Sequence, residues 1–203
     1  MTLLSTSLIL ASGSLARRVL LEESGLTIRV CPVDLDEEAL RQDLTGKGHS
    51  LGQIALALAE AKALKAAHQA AETDLIIAAD QILDMGGKAF AKPQTLSDAR
   101  DHLKFLRGKT HKLQTAVVLY RGGQKLWENL AVPELTMRPF SDDFLEAYLA
   151  SEGERLLACV GAYRLEGPGM QLFSAILGEH DAILGLPRLS LFEALRAQNA
   201  LLT

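Results

Sequence analysis

A mixed α/β (α+β) fold is predicted by three features of the chain. The run Leu75-Ile-Ile-Ala-Ala79 is apolar without a break, rich in β-branched Ile and too short for a helix of its own. That is the pattern of a strand buried on both faces. A second apolar run, Leu8 to Ala11, leads through Ser12-Gly-Ser14 into a helical pattern that reaches Ser24 and stops at Gly25, a strand–turn–helix unit. Two glycine pairs, Gly86-Gly87 and Gly122-Gly123, each separate stretches of strand character, as hairpin turns do.

The remaining elements follow in order. Thr27 to Cys31 is a short strand, and Val33 to Glu38 an acidic loop opening a polar stretch that ends near His49. Ser50-Leu-Gly-Gln53 is a capping box for an Ala/Leu-rich helix to about Ala71. After the Gly86-Gly87 turn a return strand ends at Ala91-Lys92-Pro93, because proline cannot continue a ladder. This places Lys92 on the strand neighbouring Asp80. Ser97 to Leu106 is a short helix, and Thr110 to Tyr120 and Lys125 to Val132 are paired strands. Ser141 caps a helix to Ala150 with acidic residues in its first turn, and an amphipathic helix spans Leu189 to Ala200.

Bulk properties exclude several classes of function. A chain of 203 residues with 48% hydrophobic and 23% charged residues has the composition of a soluble globular protein with one substantial core. The net charge of −4 gives no electrostatic reason to bind a nucleic-acid polymer. Cys31 and Cys159 form no C-x-x-C pair and read as reduced, small buried hydrophobes of a cytoplasmic protein. No Lys or Arg precedes the apolar run within Met1–Leu10, so it reads as a first strand, not a secretory signal. No stretch approaches the roughly 18 apolar residues of a membrane span.

Several positions carry chemistry. Asp80 and Gln81 follow the buried run directly, and an ionised carboxylate leaving such a strand needs a cation, a metal or hydrogen-bond donors. Capping a turn is the other use of an Asp there. The Ser12-Gly-Ser14 turn ahead of a helix offers free N–H groups to an anion. Arg17 and Arg18 stand in the first turn, where the helix dipole prefers acids, and so point to an anionic ligand or to a solvated pair. Lys62 falls on the apolar stripe of Leu51, Ile54, Ala55 and Leu58, from which it either snorkels out or reaches a buried anion. The acidic Asp34–Glu38 stretch is a hard-oxygen site for a divalent cation or a solvated surface. His111 reads as a surface or packing residue. Together these residues suit a polyphosphate substrate, and no activated Ser or Cys with a His partner argues for a covalent route.

The chain resembles the Maf family of nucleoside triphosphate pyrophosphatases over nearly its whole length. Leu10-Ala-Ser-Gly-Ser-Leu-Ala-Arg-Arg18 is similar to that family's L-A-S-x-S-P-R-R opening. Asp34-Leu-Asp-Glu37, Ala61-Lys62-Ala63, Ala79-Asp80-Gln81 and Lys92-Pro93 follow in order. Gly108-Lys-Thr-His111, Gly161-Ala-Tyr163, Glu166-Gly167 and Gly185-Leu-Pro187 complete the series. The resemblance implies one Maf-like domain over 1–203, an elongated mixed sheet flanked by helices, and two lobes around a central cleft. It implies hydrolysis of a nucleoside triphosphate to monophosphate and pyrophosphate with Mg2+ or Mn2+, clearing modified nucleotides, and is compatible with a homodimer. By position Asp80 is the general base; Ser12, Arg17, Lys62 and Lys92 grip phosphates; Glu37 helps hold the metal.

Base choice is read from departures within the pattern. Leu15 and Ala16 stand where the signature has Pro and its first Arg. Gln81 and Glu166 replace the Thr and Gln of pyrimidine-preferring members, and Cys159 replaces a commoner Lys. All three resemble the branch acting on 7-methylguanosine triphosphate, although that branch usually has Trp at the position of Ala16. A carboxylate at Glu166 suits the N1–H and exocyclic amine of guanine. The rival readings are a nucleotide sensor that binds without turnover and a nucleotidyltransferase that needs an acceptor.

Overall fold

The computed structural model describes residues 7–202, so residues 1–6 of the amino-terminal stretch read as lacking a secretory signal lie outside it. In chain order the elements are β1 (Leu8–Leu10), α1 (Leu15–Glu23), β2 (Ile28–Val30), α2 (Glu37–Gly46), α3 (Leu51–Ala67) and β3 (Leu75–Met85). Then come β4 (Lys88–Phe90), α4 (Leu96–Leu106), β5 (Thr110–Arg121), β6 (Gln124–Ala131) and β7 (Glu134–Met137). α5 (Asp142–Glu152), short 3-10 turns, β8 (Phe173–Leu177), α6 (His180–Ile183) and α7 (Arg188–Ala197) complete the chain. The α/β class is as expected: an open sheet of parallel and antiparallel strands with helices against it. The chain forms two compact units. One comprises the chain as far as Gln81, Thr115–Ala131 and the chain from Glu179 on; the other comprises Ile82–Gln114 and Val132–Gly178.

In the first unit β1 lies between β2 and β3 and runs parallel to both, with Leu8 opposite Leu75 and Leu10 opposite Ile77. β6 returns antiparallel on the second half of β5. Leu8, Leu10, Ile77 and Ala79 bury one face against Leu20 and Leu21 of α1 and Leu191 and Leu195 of α7. Alternation along a strand sends Ile76, Ala78 and Asp80 to the opposite face. That face belongs to α3, whose Lys62 bonds Asp80. Ile54, Ala55, Leu58, Ala59, Lys62 and Ala63 form the buried stripe of α3, behind the capping box that Ser50 and Gln53 complete.

In the second unit the end of β3 turns through Gly86 and Gly87 (φ 63° and 88°) into β4, both residues in the left-handed region that only glycine enters freely. β7 lies antiparallel between the first residues of β5 and β8. α4, capped by Thr95 and Asp98, and α5, capped by Ser141, bury Ala99, Leu103, Leu106, Leu145 and Leu149. His111 is buried at 2% exposure with its Nε2 2.8 Å from the Tyr163 hydroxyl, so it is a packing residue.

Several sequence expectations change. The strand expected to end before Asp80 continues to Met85, so Asp80 lies mid-strand; β1 has already ended opposite Ile77, three residues earlier. The acidic stretch is not all loop: Asp36 accepts the Ala39 N–H and starts α2, with Glu37 and Glu38 in its first turn. α3 stops at Ala67, short of Ala71. β4 ends at Phe90, paired with Leu83, so Lys92 lies beyond the strand in the Ala91–Pro93 segment. Among the described residues no helix is long and apolar enough to cross a membrane.

Candidate active site

Asp80 is delivered to the α3 side of the first unit by the pleat of β3. It is 6% exposed, and its Oδ1 accepts from Lys62 Nζ at 2.5 Å. The same ammonium lies 2.9 Å from Glu37 Oε1 at the start of α2. Lys62 therefore does not snorkel out: it stands between two carboxylates, one buried and one half exposed. A buried charge is tolerated when paired in this way, and removing either partner leaves the other exposed to the full cost of burial.

Behind Asp80 stands Arg17, 9% exposed and in the first turn of α1. Its Nη1 donates to Ser12 Oγ at 3.0 Å and to the Ala79 carbonyl at 2.8 Å, and its Nε donates to the Gly185 carbonyl at 2.9 Å. Burial pushes its pKa down, and the carboxylates of Asp80 and Glu37 oppose that shift. Arg17 thus ties together the Ser12 turn, the peptide preceding Asp80 and the Gly185 turn. Gly185 sits at φ 97°, and a Cβ there would lie 3.0 Å from Arg17 Nε. Arg18 behaves differently: it is exposed and paired with Glu22, the solvated half of the pair.

Gln81 faces the other way, as strand alternation requires. Its Nε2 meets Thr115 Oγ1 at 2.8 Å and the carbonyls of Ala182 and Ile183 at 3.0 and 3.1 Å. The carboxamide so ties β3 to β5 and to α6. Ala16 is half-buried in the first turn of α1 and Leu15 beside it is 71% exposed.

Lys92 and Glu166 belong to the second unit. Glu166 Oε1 accepts from Arg164 Nε at 3.3 Å, and Arg164 Nη1 donates to Glu152 Oε2 at 2.9 Å. Cys159 marks how close these groups are: burial pushes its thiol up to about 11, Glu166 adds to the rise, and Arg164 and Lys92 oppose it. Both cysteines are free, but only Cys31 is buried; Cys159 is partly accessible.

The sequence pattern described as Maf-like protein matches residues 7–198. The chain belongs to the Maf-like family. It is 62% identical over 192 residues to the nucleoside triphosphate pyrophosphatase of Gluconobacter oxydans, covering 95% of each chain. It is 44% identical over 193 residues to the 7-methyl-GTP pyrophosphatase of Rhizobium etli, covering 95% of this chain and 96% of that one. The nucleoside triphosphate pyrophosphatase of Hyphomonas neptunium is 43% identical over 200 residues, covering 98% and 100%.

In this Maf-like chain the first unit brings Ser12, Arg17, Glu37, Lys62 and Asp80 into one connected set, whereas Gln81 leaves it for the opposite face. Among the described residues no three His, Cys, Asp or Glu side chains cluster as a metal cage. Glu37 and Asp80 nonetheless converge on one cationic atom, Lys62 Nζ. Two hard carboxylates of that kind fit Mg2+ or Mn2+, ions that take one or two protein carboxylates and complete their shell with water and phosphate oxygens. Sequence reasoning missed Thr115, Glu152 and Arg164. Thr115 carries a faint signal as a hydroxyl inside an apolar strand; an ion pair between residues 152 and 164 has no periodic signature.

Proposed function

We propose that the protein hydrolyses a nucleoside triphosphate to the monophosphate and pyrophosphate. Supporting this is the buried Asp80 carboxylate bonded to Lys62 and set one peptide from the bond that anchors Arg17. Asp80 takes a proton from water as the water oxygen attacks the α-phosphorus, and the bond to the bridging oxygen of the leaving pyrophosphate breaks. Lys62 Nζ exchanges a carboxylate for a phosphate oxygen when substrate binds, and Lys92 supplies a further ammonium for the phosphates. Ser12 and Arg17 shape the anion-binding turn. Glu37 and Asp80 would hold the divalent ion, which when bound neutralises phosphate charge and eases pyrophosphate departure.

The substrate we favour is 7-methylguanosine triphosphate or a close relative, contacted at its base by Glu166. A carboxylate accepts from two adjacent N–H donors and suits a ring made cationic by methylation. The name of the Rhizobium etli relative points the same way. The unpaired cysteines suit a reducing cytoplasm, where such an enzyme would remove modified nucleotides. Pyrophosphate release from a panel of triphosphates with Mg2+ or Mn2+ tests this reading. Turnover fastest on the methylated guanosine nucleotide is expected. Micromolar binding without turnover would make the protein a sensor, and a requirement for an acceptor would make it a nucleotidyltransferase.

A further inference from the structure

Among the described residues, Glu152 is a buried charge that the proposed chemistry leaves unused. Its side chain is 2% exposed, and it closes α5, where the helix dipole disfavours an anion. Burial and dipole both act against a carboxylate at this position, so it is kept for what it binds. That partner is Arg164, whose Nη1 lies 2.9 Å from Glu152 Oε2. Arg155 approaches the other oxygen only to 3.7 Å, from an exposed position. The Arg164 backbone N–H is fixed separately, 3.2 Å from the Tyr148 hydroxyl.

The turn gives Arg164 no slack. A Cβ on Gly169 would lie 2.3 Å from the Arg164 carbonyl oxygen, and a Cβ on Gly167 would lie 3.2 Å from Glu152 Oε1. The turn closes on Arg164 only because Gly169 lacks a side chain, and at Gly167 a Cβ would crowd the Glu152 carboxylate. With its plane fixed, the guanidinium presents Nε to Glu166 Oε1 at 3.3 Å. The Glu166 side chain remains 37% exposed, so its second oxygen and remaining lone pairs are free to accept.

We propose that Arg164, held by Glu152, is the positioning residue that aims Glu166 at a guanine-type base presenting adjacent N–H donors. This rests on the reading of Glu166 as the base-contacting group. A carboxylate already tethered on one side loses less freedom on binding than one that rotates in solvent. Lysine cannot do the same, since one ammonium on a flexible stem lacks the fork that meets two carboxylates in fixed directions.

The test compares Arg164→Met, Arg164→Lys, Glu152→Gln and Glu166→Gln on 7-methylguanosine triphosphate and on UTP, with KM, or Ki where turnover is slow, read beside kcat. Thermal melting checks that each variant folds. Arg164→Met is expected to raise the guanine-type KM about tenfold or more, the scale of one lost charge-assisted hydrogen bond. Glu166→Gln does the same, Arg164→Lys and Glu152→Gln fall between, and for the Arg164 and Glu152 variants the constants for UTP and kcat stay within about twofold. If Glu166→Gln shifts base preference while folded Arg164→Met and Glu152→Gln do not, the positioning role is overturned and the base reading stands. A fall in kcat on both nucleotides alike also overturns it, because it marks a merely structural role. If Glu166→Gln leaves base preference unchanged, the base reading itself fails.

Discussion

Lys62 Nζ stands 2.5 Å from Asp80 Oδ1, with only 11% and 8% of the two side chains exposed. At that depth the pair is a commitment: neither charge has enough water to fall back on once the other is gone. Replacing Lys62 by Met leaves Asp80 buried with its cation lost, and the stability loss is expected to be roughly 3 to 5 kcal/mol. The double variant with Asp80→Asn recovers much of that loss. Urea titration of the two single variants and the double variant measures the coupling; additive losses would contradict it.

Asp80→Asn alone separates chemistry from folding. The amide oxygen still accepts from Lys62 but takes no proton from water, so kcat is expected to fall by about a hundredfold or more with little change in KM. Pyrophosphate release under saturating nucleotide measures this, and retained turnover removes Asp80 from the base role.

Arg17→Lys keeps the charge and loses the geometry. One ammonium cannot reach Ser12 Oγ and the Ala79 and Gly185 carbonyls as the guanidinium does. A loss of about 2 to 4 kcal/mol is expected from buried acceptors left unpaired, with kcat reduced because the peptide before Asp80 is released. Melting temperature and kcat, read together, check it; a change in KM alone would not fit.

His111 sets an acid limit. Burial pushes its pKa from 6.5 down to about 4, so the unfolded chain binds the proton more tightly than the folded one. Its contribution is complete above about pH 6.5, is lost as pH falls towards 4, and amounts to about 3 kcal/mol. Burial shifts His102 the same way. Melting of the wild type and of His111→Gln between pH 4 and 7 measures it: the variant should show the flatter profile.

Glu37→Gln is expected to raise the divalent-ion concentration needed for half-maximal activity by about tenfold, while chelation abolishes turnover in both proteins. Titration of Mn2+ against pyrophosphate release checks this, and an unchanged requirement would remove Glu37 from the metal site.

What the sequence disclosed follows from where its signals are periodic. The Lys62 stripe was legible because a helix repeats every 3.6 residues, and the Gly86-Gly87 and Gly122-Gly123 turns because few residues adopt their backbone. The helix α2 was hidden: none of its residues is buried, and only Leu40 and Leu44 repeat along one face of an otherwise polar stretch. The true length of β3 was hidden for another reason. A polar Asp80-Gln81 pair normally ends a buried strand, and this one continues because Lys62 satisfies the first residue while Thr115 and two carbonyls satisfy the second. Such partners come from distant segments that no local reading can supply.

The opposed directions of Asp80 and Gln81 make β3 intolerant of any odd change in residue count. Deleting a single residue between Leu75 and Ala79 would swing the amide round to meet Lys62 and turn the acid towards Thr115. The chain would then lose its proton acceptor even if every apolar residue found a new place inside. A one-residue insertion or deletion is therefore expected to be tolerated in the turns that flank this segment and not within it.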